Sequence, residues 1–233
     1  MSALLTNQGH HVVTMARSTG VDLTTGSGLD AALEGAEAVI DVSNIDTINR
    51  AKSISFFTAA ATNLAQAAER ARVSRIVLLS IVGVDRIPFG YYEGKLAQEN
   101  ALRAGGVPVT VLRATQFFEF AGTNLTRVPG PVALIPRMLT QAIASSEVAD
   151  MLVELTTAPD AVSAAGSIVE LAGPETHELV DLARRVSKAR RMRKLVIPLT
   201  LPGAAGRPMA TGALLPEGDG YRRGAVTFEE WLT

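Results

Sequence analysis

The chain of 233 residues has a formal net charge of −1 at pH 7, so no overall field draws it to nucleic acid or to a membrane surface. It contains no cysteine, which excludes disulfides, thiolate metal sites and cysteine nucleophiles. Its hydrophobic fraction of 47% suits an α/β protein, and no apolar stretch approaches the roughly 18 residues that a membrane span requires. We therefore expect a cytoplasmic protein without nucleic-acid or membrane partners.

The amino-terminal part of the chain predicts a helix, two strands and a short helix between those strands. Residues 1–8 predict the last turns of a helix that ends at Gly9, because glycine favours the left-handed conformation of a C-terminal cap. The apolar, β-branched residues 11–15 predict a strand. Residues 29–35 predict a short helix, and the apolar run at residues 38–42 predicts a second, buried strand.

The middle of the chain alternates helices with strands. Residues 53–72 are rich in alanine, with apolar side chains at helical spacing. The apolar run at residues 76–79 is too short for a buried helix and predicts a central parallel strand. A second helix carries Tyr91 and Lys95, and residues 107–112 predict a further strand. This alternation predicts an α/β fold with a doubly wound parallel sheet.

The character of the sequence changes after Arg113. Residues 114–146 contain several prolines and no clear period, which predicts loops and short helices. The later segments predict helices at residues 147–157 and 175–189, and strands at residues 168–171 and 194–201. Residues 202–220 predict a loop rich in glycine and proline, and residues 228–232 predict a helical turn.

Tyr91 and Lys95 form the most suggestive chemical pair in the sequence. A spacing of four residues on a helix places both side chains on one face. A neighbouring ammonium lowers the pKa of a phenol from its usual value of about 10, which makes the phenol a better acid or base near neutral pH. Ser80, at the carboxyl end of the predicted central strand, adds a hydroxyl at the edge where ligands bind. The alternative is a structural role, because such pairs also occur by chance.

Three other groups of residues are better explained by structure than by function. His10, His11 and His177 lack the spacing of metal ligands, so we expect no metal site. The basic residues at positions 184–194 lie at the end of a predicted helix, where a solvated face that complements the helix dipole is favoured over a nucleic-acid contact. The two phenylalanines at 117–118 are more simply core or pocket wall than a stacking platform.

Five features follow one another along the chain: Arg17-Ser18, Asp22, ATNLAQAAERARVSRIVLLS, the Tyr91/Lys95 pair and VTVLRATQFFEF. In this order they resemble the atypical short-chain dehydrogenase/reductases of the NmrA-like, NAD(P)-binding family, over essentially the whole chain. The resemblance implies a Rossmann-like fold with a small C-terminal lobe. Residues 1–113 would form the NAD(P)-binding core, and residues 114–233 mostly the substrate-side lobe, with some segments returning to the sheet.

The resemblance also implies cofactor-binding residues. Arg17 and Ser18 would bind the 2′-phosphate of NADP, because an arginine stands where an acidic residue would bind the ribose of NAD. NADP is therefore the expected cofactor, with NAD as the alternative. Asp22 would lie beside the adenine. The other expected contacts are two residues along the cofactor and four near the nicotinamide: Ser43, Asn44, Ala114, Thr115, Gln116 and Phe117.

In reductase members of the family, Tyr91 would donate a proton to the carbonyl oxygen, Lys95 would hold the nicotinamide ribose and lower the phenol pKa, and Ser80 would orient the substrate. The family begins with a strand and a G-x-x-G-x-x-G turn, whose backbone amides meet the pyrophosphate. This sequence contains neither before its first helix. We therefore expect a start further upstream or a truncation, and weak dinucleotide binding by the chain as given.

Family members include reductases of quinones and other carbonyl compounds, and also non-catalytic cofactor sensors. We expect an NAD(P)H-dependent oxidoreductase that reduces a carbonyl or quinone substrate by hydride transfer, as a monomer or homodimer. The alternatives are a non-catalytic NAD(P)-sensing regulatory protein and an interaction partner of a regulator. A pocket that places Tyr91 and Lys95 beside the nicotinamide would favour the enzyme, whereas their burial away from it would favour the sensor.

Overall fold

The computed structural model describes residues 1–127, 129–158 and 166–233. Its described helices are α1 (Ser2–Asn7), α2 (Leu29–Ala32), α3 (Arg50–Arg70), α4 (Gly90–Arg103), α5 (Glu119–Thr126), α6 (Ser145–Thr157), α7 (Leu179–Ala189), α8 (Gly206–Ala210) and α9 (Phe228–Leu232). Its described strands are β1 (Ala38–Asp41), β2 (Arg75–Ile81), β3 (Val109–Ala114), β4 (Val132–Pro136), β5 (Leu139–Thr140), β6 (Ile168–Ala172), β7 (His177–Glu178), β8 (Leu195–Leu199) and β9 (Arg222–Arg223). None of the described helices is long and apolar enough to cross a membrane.

Five strands form the main sheet, in the order β1-β2-β3-β6-β9. β1 and β2 are parallel, with Ala38 opposite Arg75, and β6 and β9 are parallel as well. The interior of β2 is fully buried at Ile76, Val77 and Leu78, because helices cover both faces of a parallel sheet. This parallel sheet with its flanking helices confirms the predicted α/β, Rossmann-like fold.

The chain divides into two compact units. The first comprises Met1–Ser80, Phe89–Leu112 and Ala149–Val169, and the second comprises Ile81–Pro88, Arg113–Val148 and Glu170–Thr233. The second unit also contains two small sheets, a parallel pair of β4 and β8 and an antiparallel pair of β5 and β7. These boundaries differ from the predicted division after residue 113, whose assignment of a cofactor core and a substrate lobe stays a prediction.

Close packing of α3 on α4 organises the first unit. Gly94 permits this approach, because a Cβ at that position would lie 2.1 Å from Ser53 Oγ and 2.8 Å from the Phe57 ring. The side chain of Asn49 caps α3 by accepting a hydrogen bond from the Lys52 N–H at 2.9 Å. The packing therefore fixes α4, the helix that carries the candidate catalytic side chains, against α3.

An aromatic cluster anchors the last helix within the second unit. The rings of Phe118, Phe228 and Trp231 have centroids between 5.3 and 5.6 Å apart. The Arg185 guanidinium lies 4.7 Å from the centre of the Phe228 ring. The helical turn predicted at residues 228–232 is confirmed, and its aromatic contacts explain why so short a helix forms.

The strand predicted at residues 11–15 is not formed. Within the ranges that the structure describes, no backbone N–H of these five residues donates to a backbone carbonyl, and Val13 is 51% exposed. A strand needs a neighbouring strand to complete its ladder of hydrogen bonds. The described strands include none that pairs with this segment, so the β-branched sequence remains extended without joining a sheet.

The prediction of loops and short helices at residues 114–146 is wrong for β4 and β5. Val132 pairs with Leu195 of β8, and the period-two alternation of exposed and buried residues along β4 lies between two prolines that obscure it. The helix predicted from residue 175 begins only at Leu179, because β7 pairs with β5. The predicted loop at residues 202–220 contains the short helix α8. The other predicted helices and strands are confirmed, with ends shifted by a few residues.

Candidate active site

Predicted site residues of the first unit lie where β1 and β2 end. β1 ends at Asp41 and is followed by Ser43 and Asn44, while Ser80 is the second-to-last residue of β2. Because β1 and β2 are parallel, their carboxyl ends lie at the same edge of the sheet. Side chains of α4 form hydrogen bonds with residues from both strand ends. The fold therefore assembles a polar site from segments far apart in sequence.

Tyr91, in the first turn of α4, is half-buried. Its hydroxyl donates a hydrogen bond to Asn44 Oδ1 at 2.8 Å, and its ring packs edge-on against Phe57 with centroids 5.9 Å apart. Burial, with a smaller contribution from the Asp46 carboxylate, raises the pKa of the Tyr91 phenol to about 12. The expectation that Lys95 lowers this pKa is therefore wrong, and the phenol is protonated at neutral pH.

Lys95, one turn further along α4, has only 4% of its surface exposed. Its ammonium donates to the Leu79 carbonyl at 2.8 Å and to Gln98 Oε1 at 2.6 Å. Burial lowers the pKa of Lys95 to about 8, although the carboxylates of Asp41 and Glu99 oppose this shift. The ammonium and the phenol thus have separate hydrogen-bond partners, and the Lys95 charge is not among the causes that shift the Tyr91 pKa.

Ser80 forms a buried pair with Glu99 of α4. The serine is 3% exposed and the glutamate 2%, and Ser80 Oγ donates a hydrogen bond to Glu99 Oε1 at 2.5 Å. A serine hydroxyl has a single hydrogen to donate, so in this arrangement its oxygen can only accept a hydrogen bond from a substrate. The substrate-orienting role of Ser80 stays a prediction, and in this arrangement it is limited to accepting a hydrogen bond from the substrate.

Gln98 is a central member of the site that the sequence did not reveal. It is fully buried, and its Nε2 donates to Asp41 Oδ2 at 2.8 Å and to Ser43 Oγ at 3.0 Å. Its Oε1 accepts the hydrogen bond from Lys95, so one amide joins a carboxylate to an ammonium. We call this set the Asp41–Gln98–Lys95 network. Two features of the sequence could have indicated it: an aspartate that ends an apolar strand, and a glutamine three residues after the lysine.

Arg17 and Ser18 lie in an exposed 3₁₀ turn of the first unit. Asp22 follows them, and its Oδ1 accepts hydrogen bonds from the Thr24 hydroxyl at 2.6 Å and the Thr24 N–H at 2.8 Å. These hydrogen bonds, the hydroxyl first, lower the pKa of Asp22, and the charge of Arg17 adds to the effect. Asn63 of α3 holds the loop by donating to the Thr24 carbonyl at 3.0 Å. Contact of this loop with an adenosine phosphate stays a prediction.

The four predicted nicotinamide contacts belong to the second unit: Ala114, Thr115, Gln116 and Phe117. The Thr115 hydroxyl donates to the Gln141 carbonyl at 2.7 Å, and Gln116 Oε1 accepts from the Thr140 hydroxyl at 2.7 Å. Thr115 is buried, whereas Gln116 remains partly exposed. These side chains are ordered by bonds within their own unit, and their contact with a cofactor stays a prediction.

A cleft of about 720 Å³ lies along β1 in the first unit. Residues 32–43, which include the whole of β1, form one part of its lining, and residues 9–15 form another. β1 is the first strand in the order of the main sheet, so one of its edges pairs with β2 and the other pairs with no described strand. The cleft is therefore bordered by backbone donors and acceptors that the described sheet leaves unpaired.

The residues of the first unit fit parts of a dinucleotide. The exposed Arg17 guanidinium suits a phosphate, and Ser43, which lines the cleft, supplies a hydroxyl suited to a ribose. A pyrophosphate is usually held by backbone amides at a glycine-rich helix start. The two glycines of this cleft, Gly9 and Gly35, follow helices α1 and α2 instead of preceding them. The described residues thus fit the nucleoside ends better than the pyrophosphate.

Comparison with known proteins points to the same class of ligand. The sequence model of the NAD(P)H-binding family matches residues 3–159. No curated protein matches the chain. Among solved structures, the NADPH-dependent quinone oxidoreductase QOR2 from Escherichia coli, complexed with NADPH, is similar with a TM-score of 0.66 and 20% identity, over 99% of this chain and 85% of that chain.

Two further structures share the fold. The Citrobacter sp. triphenylmethane reductase complexed with NADP(H) has a TM-score of 0.62 and 16% identity, over 94% of this chain and 80% of that chain. MoeE5 in complex with UDP-glucuronic acid and NAD has a TM-score of 0.75 and 17% identity, over 99% of this chain and 91% of that chain. The cofactors in these structures differ, so the comparisons indicate a nicotinamide dinucleotide without choosing between NAD and NADP.

Proposed function

The chain belongs to the NAD(P)H-binding family, and from this premise we propose that it is an NAD(P)H-dependent oxidoreductase that reduces a carbonyl or quinone compound by hydride transfer. The observation that carries the proposal is the 2.8 Å hydrogen bond between the Tyr91 hydroxyl and Asn44. This bond holds a phenol at the carboxyl edge of the parallel sheet, where open α/β proteins bind their ligands.

The role of Tyr91 is that of proton donor. A phenol whose pKa is raised to about 12 keeps its proton at neutral pH. The oxygen of a reduced carbonyl is a stronger base than a phenolate, so it can accept this proton as negative charge develops. Asn44 Oδ1 accepts the phenol hydrogen in the structure and so orients the hydroxyl. A substrate oxygen would take the place of Asn44 as the acceptor.

The cofactor proposed here is NADP(H), with NAD(H) as the alternative. When bound, the reduced nicotinamide supplies the hydride. Arg17 would bind the 2′-phosphate, because an exposed guanidinium meets phosphate oxygens in a bidentate way. Lys95 would hold the nicotinamide ribose through its ammonium, which has three donors and uses two of them on Leu79 and Gln98.

A second candidate function is cofactor sensing without turnover. The observation that favours it is the burial of Lys95, which is 4% exposed and whose ammonium donates hydrogen bonds to the protein at two positions. A lysine in this arrangement can serve stability alone, as a buried cation with two hydrogen-bond acceptors inside the protein. A sensor would bind the dinucleotide and change its surface without transferring a hydride.

One experiment separates these functions. The natural full-length polypeptide is titrated with NADPH by calorimetry and then mixed, under single-turnover conditions, with menadione and with a panel of aldehydes and ketones. The oxidoreductase proposal predicts both binding and oxidation of the bound cofactor by at least one compound. Binding with no oxidation by any of them would favour the sensor, and absence of binding to both NADPH and NADH would contradict both functions.

A further inference from the structure

Gln98 lies at the centre of the Asp41–Gln98–Lys95 network, between a hydrogen-bond donor and a hydrogen-bond acceptor. Lys95 can only donate hydrogen bonds, and an ionised Asp41 can only accept them. Gln98 lies between them with its oxygen 2.6 Å from Lys95 Nζ and its nitrogen 2.8 Å from Asp41 Oδ2. An amide can accept from a cation through its oxygen and donate to an anion through its nitrogen, and only one orientation of the Gln98 amide satisfies both partners.

The same amide also connects α4 to the loop after β1. Gln98 Nε2 donates to Ser43 Oγ at 3.0 Å, and the Ser43 N–H donates to Asp41 Oδ1 at 2.9 Å. The next residue, Asn44, accepts the hydrogen bond from the Tyr91 hydroxyl. The loop that orients the phenol is therefore held by the residue that holds the ammonium.

From this geometry we infer that Gln98 is a positioning residue: it fixes the Lys95 ammonium and couples it to the Ser43–Asn44 loop that orients Tyr91. The inference rests on the proposed function for its catalytic meaning, because only a reductase or a sensor would use the held ammonium. The coupling itself is a property of the folded chain and is measured without a cofactor.

Burial makes this coupling strong. Gln98 is 0% exposed, Asp41 and Lys95 are each 4% exposed, and Lys95 Nζ lies 4.9 Å from the centre of the Phe57 ring. Water cannot replace a missing partner at such a site, so loss of the amide oxygen leaves the ammonium less stabilised. The other charged group that acts on Lys95 is Glu99, which also lies on α4 and whose charge, like that of Asp41, opposes the lowering of the Lys95 pKa by burial.

The test is the titration of Lys95 in protein labelled with ¹³C at lysine Cε and followed by NMR. The chain has four lysines, so three serve as internal references. Gln98→Leu keeps the volume and removes both hydrogen-bonding functions, and we expect the Lys95 midpoint to fall by about 1–2 pH units. The matched control is Gln66→Leu, which changes an exposed glutamine of α3 and should leave the midpoint in place.

An exchange variant keeps the inference testable if Gln98→Leu does not fold. In Asp41→Asn combined with Gln98→Glu, the new carboxylate accepts from both the ammonium and the asparagine amide, so the hydrogen bonds are restored with the charge moved nearer to Lys95. We expect the Lys95 midpoint to rise above the wild-type value. A midpoint unchanged in Gln98→Leu, or one unchanged or lowered in the exchange variant, would overturn the assignment.

A cofactor titration distinguishes this inference from the proposed function. In the natural full-length polypeptide, we expect Gln98→Leu to weaken NADPH binding about tenfold or more and the exchange variant to recover most of the loss. If the wild-type protein binds neither NADPH nor NADH, the proposed function fails while the Lys95 midpoints still decide the role of Gln98. If NADPH binds and the titration midpoint of Lys95 is the same in wild type and in Gln98→Leu, the inference fails and the proposed function stands.

Discussion

The two edges of β1 differ in how completely their polar groups are paired. Towards β2 and α4, the strand ends in the Asp41–Gln98–Lys95 network, where carboxylate, amide and ammonium all have partners. Along the cleft, the opposite edge of β1 pairs with no described strand, and the backbone N–H groups of residues 11–15 find no backbone acceptor among the described residues.

This difference shows which part of the proposed dinucleotide site is held in place by hydrogen bonds among the described residues. The groups proposed for the nicotinamide side, Tyr91 and Lys95, are held by defined hydrogen bonds. Groups that would hold a pyrophosphate require backbone amides arranged at a helix start, and the cleft offers only glycines that follow helices. Preorganisation is therefore concentrated on the side of β1 that faces β2 and α4.

Hydrogen exchange gives the largest expected contrast. In the 233-residue polypeptide, the amides of residues 76–78 lie in a buried strand, whereas those of residues 11–15 have no backbone acceptor. We expect protection factors to differ by more than about 10³-fold, since opening free energies range from near zero to the global stability. Exchange of the two segments at comparable rates, measured by NMR or mass spectrometry, would show that residues 11–15 are paired after all.

Substitution of Tyr91 tests the chemistry of the paired side. Tyr91→Phe removes the hydroxyl that bonds to Asn44 and keeps the ring, so NADPH affinity in the full-length polypeptide should change little. Turnover of a carbonyl or quinone substrate should fall by about 10²–10⁴-fold, the usual contribution of a positioned acid. The matched control is Tyr92→Phe, an adjacent buried tyrosine, which should keep its rate. A wild-type rate in Tyr91→Phe would remove this phenol from the mechanism.

Substitution of Arg17 tests cofactor choice at the loop before β1. Arg17→Ala should weaken NADPH binding by about 10–100-fold, because a charge-assisted contact contributes about 1.5–3 kcal/mol. NADH, which lacks the 2′-phosphate, should lose little affinity. Calorimetric titration of both cofactors measures the ratio, and equal losses would exclude Arg17 as the residue that distinguishes them.

The stability of the protein should depend on pH through Lys95. Its pKa is about 8 in the folded protein and has a usual value of 10.5, so between these values the unfolded chain binds more protons. The free energy of unfolding therefore gains a contribution that rises with pH above about 8. Tyr91 acts in the opposite direction only above its usual pKa of 10, which leaves pH 8–10 as the window for measurement.

Urea denaturation across this window measures the Lys95 contribution. Lys95→Met should remove the rising component, so the difference in unfolding free energy between wild type and variant should grow from pH 8 to pH 10. The matched control is Lys52→Met, an exposed lysine of α3, which should keep the wild-type slope. A Lys95→Met slope equal to that of the wild type would place the Lys95 ammonium in contact with water.

Much of the fold was predictable, because alternating helices and strands leave clear periods in the sequence. The strand at β2 and the helix that carries Tyr91 and Lys95 followed from local pattern alone. Residues 11–15 have strand character but no described partner strand, and pairing is a property of two segments that one segment cannot reveal. β4 was missed because prolines at its ends resemble loop signals.

The sequence predicted which residues lie in the candidate site better than it predicted the hydrogen bonds between them. The spacing of Tyr91 and Lys95 predicted that they share one helix face. In the structure, however, the lysine donates a hydrogen bond to Gln98 and the phenol donates one to Asn44. The sign of a pKa shift depends on burial and on neighbours from other segments, which spacing does not encode. Gln98 was missed for the same reason, because a glutamine becomes informative only when its two partners are known.

A crystal structure of the natural full-length polypeptide with bound NADPH tests the central claim most directly. The claim is that the carboxyl edge at β1 and α4 forms the nicotinamide side of the site. It predicts the nicotinamide ribose within hydrogen-bond distance of Lys95 Nζ, the Tyr91 hydroxyl facing the reactive carbon, and Gln98 still bonded to both Lys95 and Asp41. A cofactor bound elsewhere, with Tyr91 still bonded to Asn44 and Lys95 out of reach of the ribose, would contradict the claim.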